Sequence, residues 1–236
     1  MTRTDAGAGA ESRALRTELT RRFRTSTRMV QIGGKEIELL SPANADDLIS
    51  EDDYVMDERL PYWADLWPSA QILAEEVRTM RLGGQRVLEL GCGLGMVAIG
   101  AALAGGEVTA TDYYEDALQF AKLNVMDATG REIATRMVNW VEMPGDLGKF
   151  DVVLASDVLY EHRYAPLVAN AIATTLVRGG EAIVADPGRI ALDAFLEECR
   201  ERGLTSEPDP RAYVNGEIKQ TVTLWRVRWG IDDGKT

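Results

Sequence analysis

The sequence predicts an α/β fold, a mostly parallel sheet with helices on both faces. Two patterns carry that expectation. From Arg86 onward, short β-branched or apolar runs alternate with amphipathic stretches of helical spacing, and repeated βα units of this kind place parallel strands between two helix layers. The first of these strands runs into a glycine-rich turn and then a helix, the arrangement by which such sheets build ligand sites at their carboxyl ends. A length of 236 residues suits one sizeable domain with a modest extension.

The chain opens with a basic arm at 1–28. It holds Arg3, Arg13, Arg16, Arg21, Arg22, Arg24 and Arg28 against Asp5, Glu11 and Glu18, a local balance of +4, and reads as a solvated, mobile arm or a surface helix. Residues 29–40 form two alternating runs about Gly33-Gly34, which predicts a β-hairpin because glycine tolerates the positive φ of a tight turn. An acidic loop at 46–53 precedes an aromatic cluster, Leu60-Pro61-Tyr62-Trp63-Ala64-Asp65-Leu66-Trp67-Pro68-Ser69. Pro68 suits the first turn of a helix, and Ile72, Leu73, Val77 and Met80 continue at helical spacing until Gly83-Gly84 stop it. Residues 29–84 are therefore expected to form a hairpin and helix cap ahead of a main body at 85–230.

Within that body, strands are predicted at 87–90, 107–111, 133–138, 151–155 and 181–185, with helices at 96–104, 115–127, 165–177 and 191–202. Asn215-Gly216 signals a turn between a strand at 211–214 and the apolar alternation at 220–229. The seven-stranded sheet is thus expected to end in an antiparallel hairpin, with a polar tail at 231–236.

Composition narrows the function classes. The 45% hydrophobic and 27% charged content is that of a soluble globular protein, and no apolar run approaches the roughly 18–20 residues that span a bilayer, so a cytoplasmic protein is expected. The formal charge of −12 disfavours a nucleic-acid partner, whose phosphates would be repelled. Two cysteines, Cys92 and Cys199, fall on unrelated elements and His162 is the single histidine, so neither a disulfide framework nor a metal site is expected.

The informative stretch is Val87-Leu88-Glu89-Leu90-Gly91-Cys92-Gly93-Leu94-Gly95-Met96, a strand, a tight turn and a helix start. Positions without a side chain let the backbone approach a nucleotide-like ligand, and the helix presents free N–H groups. Asp112 ends the second strand 21 residues past Gly91, where a Rossmann-like fold places the carboxylate that accepts hydrogen bonds from ribose hydroxyls.

Glu-Leu-Gly-Cys-Gly-Leu-Gly followed by Thr-Ala-Thr-Asp resembles the S-adenosylmethionine site of class I, seven-strand methyltransferases, over a region from about Trp63 to Trp229. The resemblance implies that Glu89, Gly91, Cys92, Gly93 and Gly95 surround the methionine and ribose end. Asp112 would hold the ribose hydroxyls, Tyr113 would lie against the adenine, and Asn139 and Trp140 would bind its edge and ring. A dinucleotide oxidoreductase would instead show the G-x-G-x-x-G spacing.

A second stretch, Ala155-Ser156-Asp157-Val158-Leu159-Tyr160-Glu161, is similar to the D-x-x-Y signature of seven-β-strand protein lysine methyltransferases, the group that includes the electron-transfer-flavoprotein β-subunit enzyme. Trp63-Ala64-Asp65-Leu66-Trp67-Pro68-Ser69 resembles that group's W-x-x-x-W-P stretch, in which the second tryptophan borders the cofactor. By this resemblance Trp67 and Ser156 contact the cofactor, Asp157 and Tyr160 serve catalysis, and Trp63, Asp157 and Tyr160 bind the acceptor. A carboxylate such as Asp157 could orient the amine while Tyr160 and Trp63 hold its charged form by cation–π attraction; the alternative is that Asp157 caps the next helix with Tyr160 packed beneath it. His162 is adjacent, as a surface residue or a general base.

The expected function is methyl transfer from S-adenosylmethionine, with S-adenosylhomocysteine as product, to a nitrogen nucleophile, a protein lysine being favoured. A small-molecule N- or O-methyltransferase and a non-catalytic cofactor-binding subunit are the rivals. A monomer acting on a protein or small-molecule acceptor, away from membranes and nucleic acid, is expected.

Overall fold

The computed structural model describes residues 3–48 and 61–230. Most of the acidic loop and the polar tail named above lie outside them. In chain order the elements are α1 (Arg3–Arg22), β1 (Thr25–Ile32), β2 (Lys35–Pro42), α2 (Pro68–Thr79), β3 (Arg86–Leu90), α3 (Met96–Leu103), β4 (Glu107–Asp112) and α4 (Glu115–Thr129). They continue with β5 (Ala134–Met137), β6 (Phe150–Ser156), α5 (Tyr164–Thr175), β7 (Leu176–Asp186), α6 (Leu192–Glu201), β8 (Leu204–Asn215) and β9 (Ile218–Trp229). Short 3-10 turns sit at Ala45–Leu48, Tyr62–Ala64 and Trp140–Glu142.

Seven strands form one sheet in the order β5-β4-β3-β6-β7-β9-β8, parallel from β5 through β7 and antiparallel at β9 and β8. This is the predicted Rossmann-like sheet with its terminal hairpin. The order reverses between β3 and β6, and at such a switch point the connections leave a crevice beyond the carboxyl ends of the strands. The second sheet is the predicted hairpin, β1 and β2 paired about Gly33 and Gly34.

The core has two halves, one on each sheet face. Val87, Val152, Leu154 and Ile183 pack with α2, α3 and α4 on one side, while Leu88, Leu90, Val153 and Val184 pack with α5 and α6 on the other. The sequence of α3, MVAIGAAL, is apolar all round, and all but its last residue is buried because α2 and α4 flank it within the helix layer.

The basic start of the chain is the helix α1, laid along α4. Arg16 pairs with Asp127 at 2.6 Å, Arg22 with Asp116 at 2.5 Å, and Glu11 with Lys122 at 2.6 Å. These partly exposed pairs contribute about 0–1 kcal/mol each, whereas fully burying Leu19 against Leu40, Leu94, Phe120 and Leu123 contributes roughly 1.5–3 kcal/mol. Apolar burial of this one side chain therefore matches or exceeds any single ion pair in holding the helix down.

Two strands run longer than the sequence predicts. β8 extends from Leu204 to Asn215 through Pro208 and Pro210, residues that argue against a strand yet are tolerated at an edge, where one side of the backbone needs no ladder partner. β7 begins at Leu176, straight after α5, and its pairing with β6 slips in register between Phe150 and Val152. Apolar residues on both sides of that junction hide the change of period from the sequence.

Candidate active site

The carboxyl ends of β3, β4, β6 and β7 open into one cavity of about 690 Å3, a volume in the range of cofactor pockets. Its two ends differ in chemistry.

At the β3–β4 end, the turn after β3 is held by Cys92 N–H donating to the Thr111 carbonyl at 2.9 Å and Gly95 N–H donating to the Cys92 carbonyl at 2.8 Å. Gly93 N–H donates to one Asp112 oxygen at 2.9 Å and Tyr114 N–H to the other at 3.1 Å. The Tyr113 N–H also bears on this carboxylate. A carboxylate offers about four acceptor sites and the residue lines the cavity, so acceptor capacity remains for ribose hydroxyls. Burial raises the Asp112 pKa, against the pull of the backbone N–H groups. Gly95 has a φ of 79°, and a Cβ there would lie 2.8 Å from Ala121, so only glycine lets this turn sit on α4.

Beyond the turn lies a slot for a flat ring. Tyr113 is 45% exposed at its edge, Trp140 stands edge-on to Tyr164 at 5.6 Å, and Asn139 accepts from Val141 N–H at 3.1 Å, which leaves its amide N–H groups as donors. A nucleoside such as that of S-adenosylmethionine fits this end, a diol acceptor beside an aromatic-lined slot with amide donors. Cys92 also lines the cavity, its thiol pushed well up in pKa by burial and then by the charges of Asp112 and Glu89.

The β6–β7 end is built on Asp157. This residue adopts a left-handed φ of 59°, a conformation that aspartate tolerates better than most side chains, and its N–H is tied to the Ala185 carbonyl at 3.0 Å. Its carboxylate takes one side chain on each oxygen: Ser69 Oγ donates to Oδ2 at 2.8 Å, and Arg189 Nε donates to Oδ1 at 2.5 Å. The Arg189 guanidinium lies 5.3 Å from the Trp67 ring centre, and the buried Asp186 takes the N–H groups of Gly188 and Arg189, each at 2.7 Å. Tyr160 meets Tyr62 at 5.3 Å and Tyr164 at 4.9 Å between ring centres. Burial, then the bond to Tyr164, pushes the Tyr160 phenol far up in pKa, so it stays protonated. Trp67 Nε1 donates to the Tyr62 carbonyl at 2.9 Å, and Trp63 packs 5.8 Å from Phe120.

Of the residues singled out in the sequence, Trp63, Trp67, Gly91, Cys92, Gly93, Asp112, Tyr113, Asn139, Trp140, Ser156, Asp157 and Tyr160 line this one cavity. Two others lie behind the wall. Gly95 faces α4, and Glu89 is 1% exposed, with its carboxylate accepting from Ala98 N–H in the first turn of α3 and its Oε2 unpartnered among the described residues. Burial pushes the Glu89 pKa well up. His162 is exposed and outside the wall. Asp157 does not cap α5, whose N-cap position is Arg163 with no side-chain cap bond.

The sequence reading gave no role to Ser69, Tyr62, Tyr164 and Arg189. Ser69 and Tyr62 flank the tryptophan pair and could have been taken with it. Arg189 follows Asp186-Pro187-Gly188 at the end of a different strand from Asp157, but β7 is the parallel neighbour of β6 and both strands end at the same edge.

A family model described as lysine methyltransferase matches residues 62–194, more than half of the chain. The Danio rerio protein N-lysine methyltransferase METTL21A is 34% identical over 157 residues, 61% of this chain and 70% of that protein. The electron transfer flavoprotein beta subunit lysine methyltransferase of Danio rerio is 32% identical over 133 residues, 55% of this chain and 51% of the relative, so the match spans about half of that protein. Among solved structures, magnesium protoporphyrin IX methyltransferase of Synechocystis PCC 6803 superposes with a TM-score of 0.57 at 20% identity, covering 79% of this chain and 98% of that one, a likeness of fold.

Proposed function

The chain belongs to the lysine methyltransferase family, a group of S-adenosylmethionine-dependent enzymes, and from that premise we propose that it methylates the side-chain amine of a protein lysine. The observation that carries this reading is the division of one cavity into a diol-accepting end at Asp112 and an aromatic end at Tyr62, Trp67 and Tyr160.

S-adenosylmethionine, when bound, supplies an electrophilic sulfonium methyl. The protein's part is alignment, because in-line transfer needs the acceptor lone pair and the methyl held on one axis. In this reading Asp112 accepts the ribose hydroxyls, Gly91, Cys92 and Gly93 supply a close backbone wall, and Tyr113, Asn139 and Trp140 form the adenine slot. Glu89 and Gly95 shape the turn from behind. Tyr62, Tyr160 and the Trp67 ring present π faces to a cationic amine, an attraction of about 0.5–2 kcal/mol per ring. Tyr160, as a protonated phenol, holds the amine and takes no proton from it; the ammonium would give one proton to solvent, and its freed lone pair would then take the methyl as the sulfonium carbon–sulfur bond breaks. With its charge met by Arg189 and its other oxygen held by Ser69, Asp157 is a positioning residue that ties β6, Ser69 of α2 and Arg189 into one rigid wall.

The test is transfer of labelled methyl from S-adenosylmethionine by the full chain in a proteome extract, followed by acid hydrolysis of the protein fraction. Label should be recovered as Nε-methylated lysine. Label confined to small molecules would overturn the lysine assignment and leave the methyltransferase standing.

A further inference from the structure

Arg189 is fixed on three sides and open on the fourth. Its backbone N–H is held by buried Asp186, its Nε by Asp157, and its guanidinium lies beside the Trp67 ring. Both Nη nitrogens are without a hydrogen-bond partner among the described residues, the side chain is 34% exposed, and the residue lines the cavity. A solvated arginine loses rotamer freedom when it binds a ligand. One already locked by a carboxylate and an aromatic face has less to lose, and its free N–H donors are preorganised for a planar acceptor.

The chemistry of that acceptor follows from the geometry. Asp157 occupies the Nε side, leaving four N–H donors on the two Nη atoms, and a fork of this kind is matched by two oxygens of a carboxylate. The position within the sheet says which part of the cavity is read. Strand order runs β4, β3, β6, β7, so Arg189, three residues past β7, stands at the opposite end from Asp112, beside the rings assigned above to the acceptor amine.

We propose that Arg189 binds a carboxylate presented in the cavity, so that the acceptor lysine is recognised together with an acidic group beside it. The proposal rests on the methyl-transfer reading of this cavity. The net charge of −12 alone would select a basic partner; Arg189 instead asks for a local acid next to the amine. The same carboxylate chemistry is offered by the amino-acid end of the cofactor, and the two sources separate by experiment.

The variants are Arg189→Met, which removes the charge, and Arg189→Lys, which keeps the charge without the fork. Calorimetry with S-adenosylhomocysteine, and with its analogue lacking the carboxylate, reports the cofactor source. Labelled transfer to a peptide array with a central lysine, flanked in turn by Asp, Glu, Ala or Lys, reports the acceptor source. We expect Arg189→Met to bind S-adenosylhomocysteine within threefold of wild type, and wild type to favour acid-flanked over Ala-flanked peptides at least tenfold. Arg189→Met should lose that preference and Arg189→Lys keep part of it. A tenfold loss in Arg189→Met for S-adenosylhomocysteine, absent for the analogue, would place the carboxylate on the cofactor. Unchanged cofactor affinity with no acidic preference in wild type, or a preference that survives in Arg189→Met, overturns the proposal. Failure of the methyl-transfer reading is distinct: wild type would then bind no S-adenosylhomocysteine at all.

Discussion

Asp112 and Asp157 are both buried aspartates at carboxyl ends of strands in one sheet, with β3 lying between their strands, yet they are satisfied in opposite ways. Asp112 accepts backbone N–H groups and has no ion-pair partner among the described residues, so burial raises its pKa and its charge is left for a ligand's donors to meet. Asp157 accepts from Ser69 and from the arginine that balances its charge, and so holds the wall together. A buried carboxylate with no cation beside it still gains from a ligand's donors, whereas one already paired with a cation serves to position that partner.

Removing the ligand-facing carboxylate should have the largest effect. Asp112→Ala is expected to weaken S-adenosylhomocysteine binding by about 3 kcal/mol, roughly a hundredfold, as two hydrogen bonds to a charged acceptor are lost. Calorimetry checks it, and Asp112→Asn, which keeps the contacts to Gly93 and Tyr114 more nearly intact, should fall between. Because ribose hydroxyls donate to the ionised form, wild-type affinity should decline as pH falls through the raised Asp112 pKa, beginning above the usual carboxylate range. A pH profile shared by wild type and Asp112→Asn would remove Asp112 from binding.

Breaking the architectural carboxylate should act on fold and turnover before cofactor affinity. Asp157→Ala leaves Arg189 without its partner and puts alanine at a left-handed φ; with Arg189 one-third exposed, the cost is discounted to about 2 kcal/mol, a Tm drop of roughly 4–8 °C. Turnover should fall with it, while S-adenosylhomocysteine affinity stays within about threefold. Asp157→Asn, which tolerates that φ, should recover most of the Tm. A hundredfold loss of cofactor affinity in Asp157→Ala would erase the contrast between the two aspartates.

Glu89 sharpens the comparison from behind the cavity, through stability alone. Its folded-state pKa is raised by burial, so the unfolded chain gives up this proton more readily than the folded one, and stability is lost as pH rises from the unfolded value toward the folded one. Glu89→Gln removes that loss. Its Tm advantage over wild type should be nil near pH 4 and grow as pH rises above that. Thermal melts across pH check the sign, and an advantage that shrinks as pH rises would contradict it.

These contrasts also mark what the chain reveals by reading. The turn from Gly91 to Gly95 and Asp112 are legible because one strand, turn and helix, and the next strand end, place them locally. The surroundings of Asp157 are not: Ser69 lies 88 residues away and Arg189 32, and sheet order rather than spacing brings them together. Glu89 is legible as an acid inside a strand, but its burial and its direction toward the α3 start depend on which face of β3 it occupies. The N-terminal arginines read as solvated charge because their acidic partners, Asp116 and Asp127, lie on a helix more than 90 residues further on.

Pro208 and Pro210 on the edge strand β8 have a consequence for the protein in company with its own copies. An edge strand exposes a row of hydrogen-bonding groups on which another extended chain can build, and each proline removes one N–H donor from that row. The longest strand pair of the sheet therefore ends in an edge ill-suited as a template. Growth of the sheet from one molecule into the next is discouraged on the side where the strands are longest, and the protection lies in the backbone, where neither salt nor pH can remove it.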